Sequence, residues 1–262
     1  MSHPKLRHVQ ADLRSSAAVD ALAGTDMLWH LAFQLWRVPG VDMAEANAAA
    51  TETVIRAGPR RVVFASSAAV YGAWPSNPLP LAESWPAWPN AECEYAGQKL
   101  LAERRLAGAA PTVSLRIAAV LGPHADPLVK RASQGYRRGV PAIRGVEQAL
   151  QFVHEDDVAD ALHRAGAADA TGVVNIAPAD WLDAAGVASV AGSRVLRVPR
   201  RVLLRGSEVA VRLKLIDFGA DRAILLNGPL ALDPSLAGSS LGWQATRSSA
   251  QVLGDFLADS HS

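Results

Sequence analysis

Three residues that could carry acid–base chemistry follow one another along the chain: Ser67, Tyr95 and Lys99. The stretch RVVFASSAAVYG, residues 61–72, is typical of a buried strand that ends on serines. Tyr95 and Lys99 stand four residues apart in EYAGQKLLAE, which predicts that they share one face of a helix. Because ligands bind at the carboxyl ends of the strands in an open α/β sheet, this order predicts that the three groups meet in one cleft.

The chemistry that such a trio could perform is proton transfer beside a hydride transfer. A phenol titrates near pH ~10, and lowering that pKa by about three units takes roughly 4 kcal/mol. A close ammonium together with the positive ring of a nicotinamide cofactor could supply that stabilisation. Tyr95 would then exchange a proton with a substrate oxygen held by the Ser67 hydroxyl, while the cofactor supplies the hydride.

Each half of this pattern has a plainer explanation. A serine after a strand is commonly a helix cap, and YxxxK often occurs by chance. The hypothesis of an oxidoreductase therefore depends on both halves occurring in this order, within the strand and the helix that the sequence predicts.

The elements that must position these residues alternate as in a doubly wound parallel sheet. The predicted strands are residues 6–13, 26–33, 61–67 and 112–122. Residues 42–58 and 91–109 are predicted helices, and Gly58 before Pro59 is typical of a helix end.

The rest of the chain is less regular. Residues 73–90 hold five prolines and three tryptophans, which favours an ordered loop over a linker. Residues 151–162 start extended and become helical, with Asp156 or Asp157 as the predicted N-cap. The stretch PRRVLLRGSEVAVRLKL predicts an amphipathic helix, whose arginines we interpret as a solvated face rather than a membrane surface. The tail predicts one more helix.

Composition narrows the function classes. With 26 basic and 25 acidic residues the net charge is +1, which favours neither nucleic acid nor an anionic membrane as a partner. A single cysteine, Cys93, and no Cys or His pair at ligand spacing predict neither a disulfide nor a metal site. The sequence starts without a secretory signal and has no apolar run of about 18 residues, so we expect a cytoplasmic protein without a membrane partner.

Taken together, these motifs resemble the extended short-chain dehydrogenase/reductase family, of the NAD-dependent epimerase/dehydratase type. SSAAVYG and YAGQK resemble its active-site motifs, WHLA the strand end beside the cofactor, LRIAAVLGP the following strand, and LGW its C-terminal signature. The resemblance implies a Rossmann-like core at residues 1–122 and a small substrate-binding region at residues 123–262, with residues 151–178 returning to the core. It also implies a homodimer that packs through residues 42–58 and 91–109.

The resemblance further implies that the cofactor is NAD or NADP. The residues that it assigns to the cofactor are Asp12, Leu13, Leu31, Ala32, Tyr95, Lys99 and Ala118. Asp12 would meet the adenine with Leu13 packed near it, while Leu31 and Ala32 would form a wall of the site.

The chain also departs from the family at its start. The family opens with a strand, a GxxGxxG turn and a helix that hold the pyrophosphate, and none of these occurs upstream of Asp12. We therefore expect an N-terminally incomplete sheet that lacks two central strands, between residues 6–13 and 26–33. Such a chain would pair those two strands directly, leave exposed edges, or borrow strands from a partner.

Other departures concern the substrate. Ala68 and Ala69 replace the acidic residues of the 4,6-dehydratases, which disfavours dehydration. Ala119 and Leu121 replace the asparagine and tyrosine that are common in sugar epimerases, and residues 123–151 are a short stretch for holding a nucleotide sugar. We expect a smaller or more apolar substrate, with the tryptophan-rich loop as a wall of its site.

Three interpretations follow. The leading one is an NAD(P)-dependent oxidoreductase that acts on a carbonyl or alcohol of a small molecule. The alternatives are a nucleotide-sugar 4-epimerase that uses the same trio, and a non-catalytic or truncated relative that cannot hold a dinucleotide. His154 is expected to be a packed, hydrogen-bonded residue, and Glu103 to support its helix as an ion-pair partner.

Overall fold

Strands and helices alternate along the chain, as the apolar pattern predicts. The computed structural model describes residues 7–35, 38, 40–125, 127–213 and 219–259. The strands are β1 Met27–His30, β2 Arg61–Ala65, β3 Thr112–Ile117, β4 Ala119–Leu121, β5 Val140–Ile143, β6 Phe152–His154, β7 Gly172–Ile176 and β8 Val195–Val198. The helices are α1 Ser16–Leu22, α2 Met43–Ala57, α3 Glu94–Ala109, α4 Pro127–Gln134, α5 Glu155–Ala167, α6 Ala184–Val190, α7 Arg200–Arg212, α8 Ala220–Ala223, α9 Ser235–Leu241 and α10 Ser249–Asp259. Short 3₁₀ turns lie at Ala68–Tyr71, Gly135–Arg137 and Ile224–Leu226.

The main sheet is parallel, with its strands in the order β1-β2-β3-β7. On one face, Val54 of α2 and Leu106 of α3 pack against Phe64. On the other face, Ala161 and Ala165 of α5 join the largest apolar cluster, which includes Val63. Helices thus cover both faces, which confirms the α/β, Rossmann-like prediction.

The predicted strand at residues 112–122 is divided in two. The Ala118 N–H donates to the Ile176 carbonyl of β7, whereas the next N–H, of Ala119, donates to the Gln151 carbonyl. The chain therefore leaves the main sheet at Ala118, and β4 pairs with β6. A third pair, β5 with β8, lies apart from both.

The predicted strand at residues 6–13 is wrong over the part that the structure describes. Residues 7–12 are exposed and form neither helix nor strand. The backbone N–H of Arg14 donates to the Asp12 carboxylate, and Ser15 caps α1, so this segment turns into a helix instead of extending. Among the described residues no strand lies beside it to satisfy its backbone groups.

Because that strand is absent, β1 is an edge of the main sheet within the described chain. Of the outcomes expected for an N-terminally incomplete sheet, direct pairing of the two predicted strands is wrong, and the β1 edge is exposed within the described chain. Trp29 covers part of the β1 face, since its indole N–H donates to the Leu162 carbonyl at 2.9 Å.

The helix predictions hold, with one correction. α2 starts after the cap Asp42 and ends at Gly58, whose φ of 62° is left-handed. α5 is capped by His154, whose Nδ1 accepts the Asp156 N–H at 3.1 Å, and not by Asp156 or Asp157. The imidazole reaches this N–H because β6 runs into α5 without a turn, and His154 is a structural residue, as expected. None of the described helices is long and apolar enough to cross a membrane.

Candidate active site

Ser67 lies just beyond the carboxyl end of β2, as predicted. β2 ends at Ala65, and the Ser67 hydroxyl accepts the Ala69 N–H at 3.2 Å, so it caps the 3₁₀ turn that follows. Ser67 also lines the apolar cleft described below. The plainer explanation, a cap, therefore holds for Ser67, and its catalytic role stays a prediction.

Tyr95 lies in the first turn of α3, with 9% of its surface exposed. Its ring meets the ring of Phe33 edge-on, with 6.0 Å between centroids, and the Arg222 guanidinium carbon lies 4.3 Å from its centre. Burial raises the pKa of Tyr95, while Ser67 and Arg222 oppose the rise. This direction is opposite to the lowered pKa that we expected beside an ammonium and a bound cofactor.

Lys99 shares a face of α3 with Tyr95, as predicted, but its ammonium is not centred on the phenol. Nζ donates to the Ala65 carbonyl at 2.5 Å and lies 3.9 Å from the centre of the Phe33 ring, 4.7 Å from that of Phe64 and 5.8 Å from that of Tyr95. Burial lowers the pKa of Lys99 to about 7. The amine is therefore enclosed by aromatic rings at the end of β2.

A buried ion pair lies behind these residues. Glu103, one turn after Lys99, accepts from the Arg116 guanidinium at 2.8 and 3.1 Å and from the Ser66 hydroxyl at 2.5 Å. All three side chains are buried. Glu103 thus has the ion-pair role expected of it, but its partner is in β3, so the pair joins α3 to the sheet beside Ser67.

A cleft of about 300 Å³ opens beside Ser67. Its lining is largely apolar and includes Ile117, Ala118, Leu121, Tyr136, Phe152 and Leu226. Arg222 is the charged residue in the lining. Of the residues assigned to the cofactor, Ala118 is the one that borders this cleft.

The tryptophan-rich loop does not line this cleft in the described chain, so that expectation is wrong. Trp74, Trp85 and Trp88 instead line a separate cleft of about 310 Å³. The loop is held there because the Asn77 amide donates to the Pro229 carbonyl at 3.0 Å and the Trp74 indole to the Trp88 carbonyl at 2.7 Å.

Asp12 and Leu13, the expected adenine contacts, lie in the segment before α1. The Asp12 carboxylate is exposed and accepts from the Arg14 guanidinium at 2.7 Å, which lowers its pKa to about 2. The Leu13 carbonyl accepts the Thr53 hydroxyl at 2.5 Å, which ties this segment to α2.

Leu31 and Ala32 are exposed just beyond the carboxyl end of β1, the strand beside β2. The segment that they begin then crosses the Tyr95–Lys99 pair. Phe33 contacts both side chains, and the Arg222 guanidinium donates to the Leu35 carbonyl at 2.6 Å. Residues 31–35 therefore lie against Tyr95 and Lys99.

The site fits the two ends of a nicotinamide dinucleotide differently. At the reactive end, Ser67 borders an apolar cleft, and the Nε2 atom of buried His30 has no partner among the described residues. At the pyrophosphate end, no two of the 20 glycines are three residues apart, so a GxxGxxG turn is absent from the sequence. The described residues suit the nicotinamide and supply no glycine-rich cradle for the phosphates.

Comparison with known proteins identifies the family. The family model described as "NAD dependent epimerase/dehydratase family" matches residues 2–177. The chain belongs to the NAD-dependent epimerase/dehydratase family, which confirms the resemblance found in its motifs. Uncharacterized protein y4nG of Sinorhizobium fredii is 26% identical over 96% of this chain and 67% of its own length. Uncharacterized protein Rv0501 of Mycobacterium tuberculosis is 34% identical over 45% of this chain, and the matched part is 32% of that relative.

Solved structures share the fold. The dTDP-glucose 4,6-dehydratase DesIV of Streptomyces venezuelae, with NAD bound, superposes with a TM-score of 0.70 at 22% identity, covering 98% of this chain and 80% of that one. The UDP-glucose 4-epimerase of Thermotoga maritima, with UDP-glucose, gives a TM-score of 0.68 at 19% identity, covering 96% and 84%. At these identities the similarity establishes the fold of the chain alone.

Three residues of the site were missed by the sequence analysis. Arg116 carried a signal, because an arginine inside the apolar run TVSLRI needs a buried partner. Phe33 and Arg222 carried none, since 189 residue numbers separate them and only folding brings both to Tyr95.

Proposed function

We propose that the protein is an NAD(P)-dependent oxidoreductase that acts on a carbonyl or alcohol of a small, largely apolar molecule. The observation that carries this proposal is the position of Ser67, which borders an apolar cleft at the end of β2 and lies beside the buried Tyr95. Bound NAD(P)H would supply the hydride. Tyr95 and Lys99 would hold its nicotinamide end, with Ala118 beside it.

The protein's own groups would handle the proton. Because burial raises the pKa of Tyr95, its phenol is protonated at neutral pH and can donate to a carbonyl oxygen that gains charge. The Ser67 hydroxyl would hydrogen-bond the same oxygen. Lys99, with a pKa of about 7, can return a proton toward the phenol at neutrality. The protonation states of Tyr95 and Lys99 at neutral pH therefore favour carbonyl reduction over alcohol oxidation.

The cleft supports the choice of substrate. Its lining is apolar, so it favours a hydrocarbon-like substrate with one carbonyl rather than a polyhydroxylated sugar. From the family resemblance, Asp12 and Leu13 would contact the adenine, and Leu31 and Ala32 would form a wall beside the cofactor.

Binding and turnover test the proposal separately. NADH and NADPH are titrated into the chain while nicotinamide fluorescence is followed, and oxidation of the bound cofactor is then measured with a panel of apolar ketones and aldehydes. We expect saturable binding of one cofactor and turnover of at least one carbonyl. Binding without turnover of any carbonyl or alcohol contradicts the oxidoreductase.

A nucleotide-sugar 4-epimerase is the second candidate, and Arg222 favours it. Its guanidinium borders the cleft and could pair with a diphosphate. Incubation with a UDP-hexose distinguishes the two, because an epimerase forms the C4 epimer without net change in NADH.

A non-catalytic role is the third candidate. Phe33, packed against Lys99 and Tyr95, and the absent glycine-rich turn both favour it. Failure to bind either NADH or NADPH supports this candidate over both enzymes.

A further inference from the structure

Helix α7 presents an apolar stripe to solvent. Its inward side is marked by buried Ser207 and by Leu204, which packs toward the cluster around Tyr95. At about 100° per residue, Val202, Val209 and Leu213 fall on the opposite side. They are exposed by 56%, 52% and 63%.

Arginines flank this stripe along one side. Arg201, Arg205 and Arg212 are exposed and lie within about 40° of one another on the helix surface, next to the stripe. Residues 194–213 hold six arginines, Arg194, Arg197, Arg200, Arg201, Arg205 and Arg212, against one acidic residue, Glu208. Arg200 is paired with Glu92, so the near balance of charge in the whole chain hides a basic surface of five further arginines beside Glu208 around α7.

The apolar stripe and the row of arginines together distinguish this side of α7 from an ordinary solvent-exposed helix face. A solvated helix face is polar, whereas here the residues farthest from the core are valine and leucine. A nucleic acid would use the arginines but not the apolar stripe. An apolar stripe beside a row of cations matches the boundary between acyl chains and anionic headgroups.

We propose that α7 docks the protein on anionic lipid, with the helix axis parallel to the surface. The stripe of Val202, Val209 and Leu213 enters the headgroup region, while Arg201, Arg205 and Arg212 pair with phosphates. This surface lies next in sequence to α8 and the turn Ile224–Leu226, which contribute Arg222, Leu225 and Leu226 to the large cleft. Docking through α7 requires nothing of the catalytic residues, so it holds or fails independently of the proposed function.

The test is flotation of the full chain with vesicles. One set of vesicles is phosphatidylcholine alone, and the other is phosphatidylcholine mixed with phosphatidylglycerol. Two variants remove the features in turn: Val202→Ser/Val209→Ser/Leu213→Ser and Arg201→Gln/Arg205→Gln/Arg212→Gln. Matched controls change three exposed apolar residues elsewhere, Val9→Ser/Val41→Ser/Leu236→Ser, and three exposed arginines elsewhere, Arg56→Gln/Arg60→Gln/Arg104→Gln.

We expect binding to the anionic vesicles that weakens as salt is added. The arginine variant lowers the partition coefficient on the order of 100-fold, about fivefold for each charge. The stripe variant lowers it roughly tenfold or more, and both controls bind as the unchanged chain does. Circular dichroism establishes that each variant is folded.

Equal flotation with both kinds of vesicle overturns the proposal, and so does the absence of flotation with both kinds. An equal loss of binding in the matched controls also overturns it, since net charge and general apolarity would then explain the effect. Binding of the chain to duplex DNA, unchanged in the stripe variant and without flotation, would instead assign the surface to nucleic acid.

Discussion

Burial moves both ionisable groups of the site toward their uncharged forms. The phenol of Tyr95 has a raised pKa, and the ammonium of Lys99 has a pKa lowered to about 7. The Ser67 side chain opposes the rise in the pKa of Tyr95. The protonated phenol of Tyr95, beside a Lys99 amine that is partly uncharged at neutral pH, suits a reaction that begins with proton donation to a carbonyl oxygen.

Tyr95→Phe tests the donor. The ring keeps its packing against Phe33 and Arg222, so the dissociation constant for NADPH should change little, while turnover falls on the order of 10² to 10⁴ fold. Steady-state kinetics and cofactor titration measure the two effects. The control is Tyr71→Phe, which removes the hydroxyl of a buried tyrosine that donates to Asn175 and does not line the apolar cleft. A Tyr95→Phe variant that retains full turnover would remove Tyr95 from the mechanism.

Lys99 makes the stability of the fold depend on pH. Its folded pKa of about 7 lies below its ordinary value of 10.5, so between these limits the unfolded chain binds more protons. The free energy of unfolding should therefore rise with pH across this window, by about 1.4 kcal/mol per unit, and stay flat below it. Urea unfolding of the chain and of Lys99→Met at several pH values measures this difference. If the free energy of unfolding varies with pH in the same way in both proteins, burial does not lower the pKa of Lys99.

Among the elements, α3 has the largest role, because it carries both Tyr95 and Lys99 and is joined to the sheet by Glu103. Its position relative to Ser67 depends on the buried bridge from Glu103 to Arg116 and Ser66. The geometry of the site is thus set by the contact between one helix and two strands.

Glu103→Met should lower the free energy of unfolding by about 3–5 kcal/mol, because Arg116 is left as an unpaired buried charge. The double variant Glu103→Met/Arg116→Met should recover most of that loss. Asp160→Asn, which breaks the exposed pair with Arg164, should cost less than about 0.5 kcal/mol. Chemical denaturation compares all three. If the double variant is as unstable as the single one, the loss comes from packing and not from charge.

The contact between α5 and β1 offers a test of close packing. A Cβ at Gly166 would lie 2.3 Å from the Trp29 ring, whereas one at Gly97 of α3 would meet nothing within 4 Å. Gly166→Ala should destabilise by about 1–2 kcal/mol, because Trp29 must leave the Leu162 carbonyl. Gly97→Ala should stabilise by about 0.5–1 kcal/mol, since alanine favours the helix. Thermal unfolding compares the two, and stabilisation by both changes would show that Trp29 moves freely.

For the whole molecule, the proposed dimer concerns the surface formed by α2 and α3. The resemblance implies a dimer through α2 and α3, and on this surface Leu101 is 54% exposed. An exposed leucine in the middle of a helix pair is suited to contact its own copy across a twofold axis.

Leu101→Glu should convert the proposed dimer to a monomer, because two carboxylates would meet at the axis. Sedimentation equilibrium measures the mass of both forms. Leu236→Glu, at an exposed leucine of α9, is the control that should leave the dimer intact. A wild-type chain that is monomeric at all concentrations would contradict the dimer.

Much of this molecule could be predicted from local pattern. The apolar runs and helical periodicity predicted β2, α2, α3 and α10, because burial on one side of an element leaves a period that can be read directly. The order of Ser67, Tyr95 and Lys99 likewise predicted their placement at the end of β2. In these cases the residues that decide the structure are neighbours along the chain.

What the sequence by itself determined, then, is the class of fold, the family and the trio of polar residues. Tertiary structure decided the rest: that residues 7–12 form no strand, that Phe33 and Arg222 cover Tyr95, that Lys99 is turned toward the Ala65 carbonyl, and that the stripe of α7 faces outward. A strand needs a neighbour to pair with, and a pKa or an exposed face depends on groups from distant parts of the chain. Such partners are set by packing in three dimensions, on which local pattern carries no information.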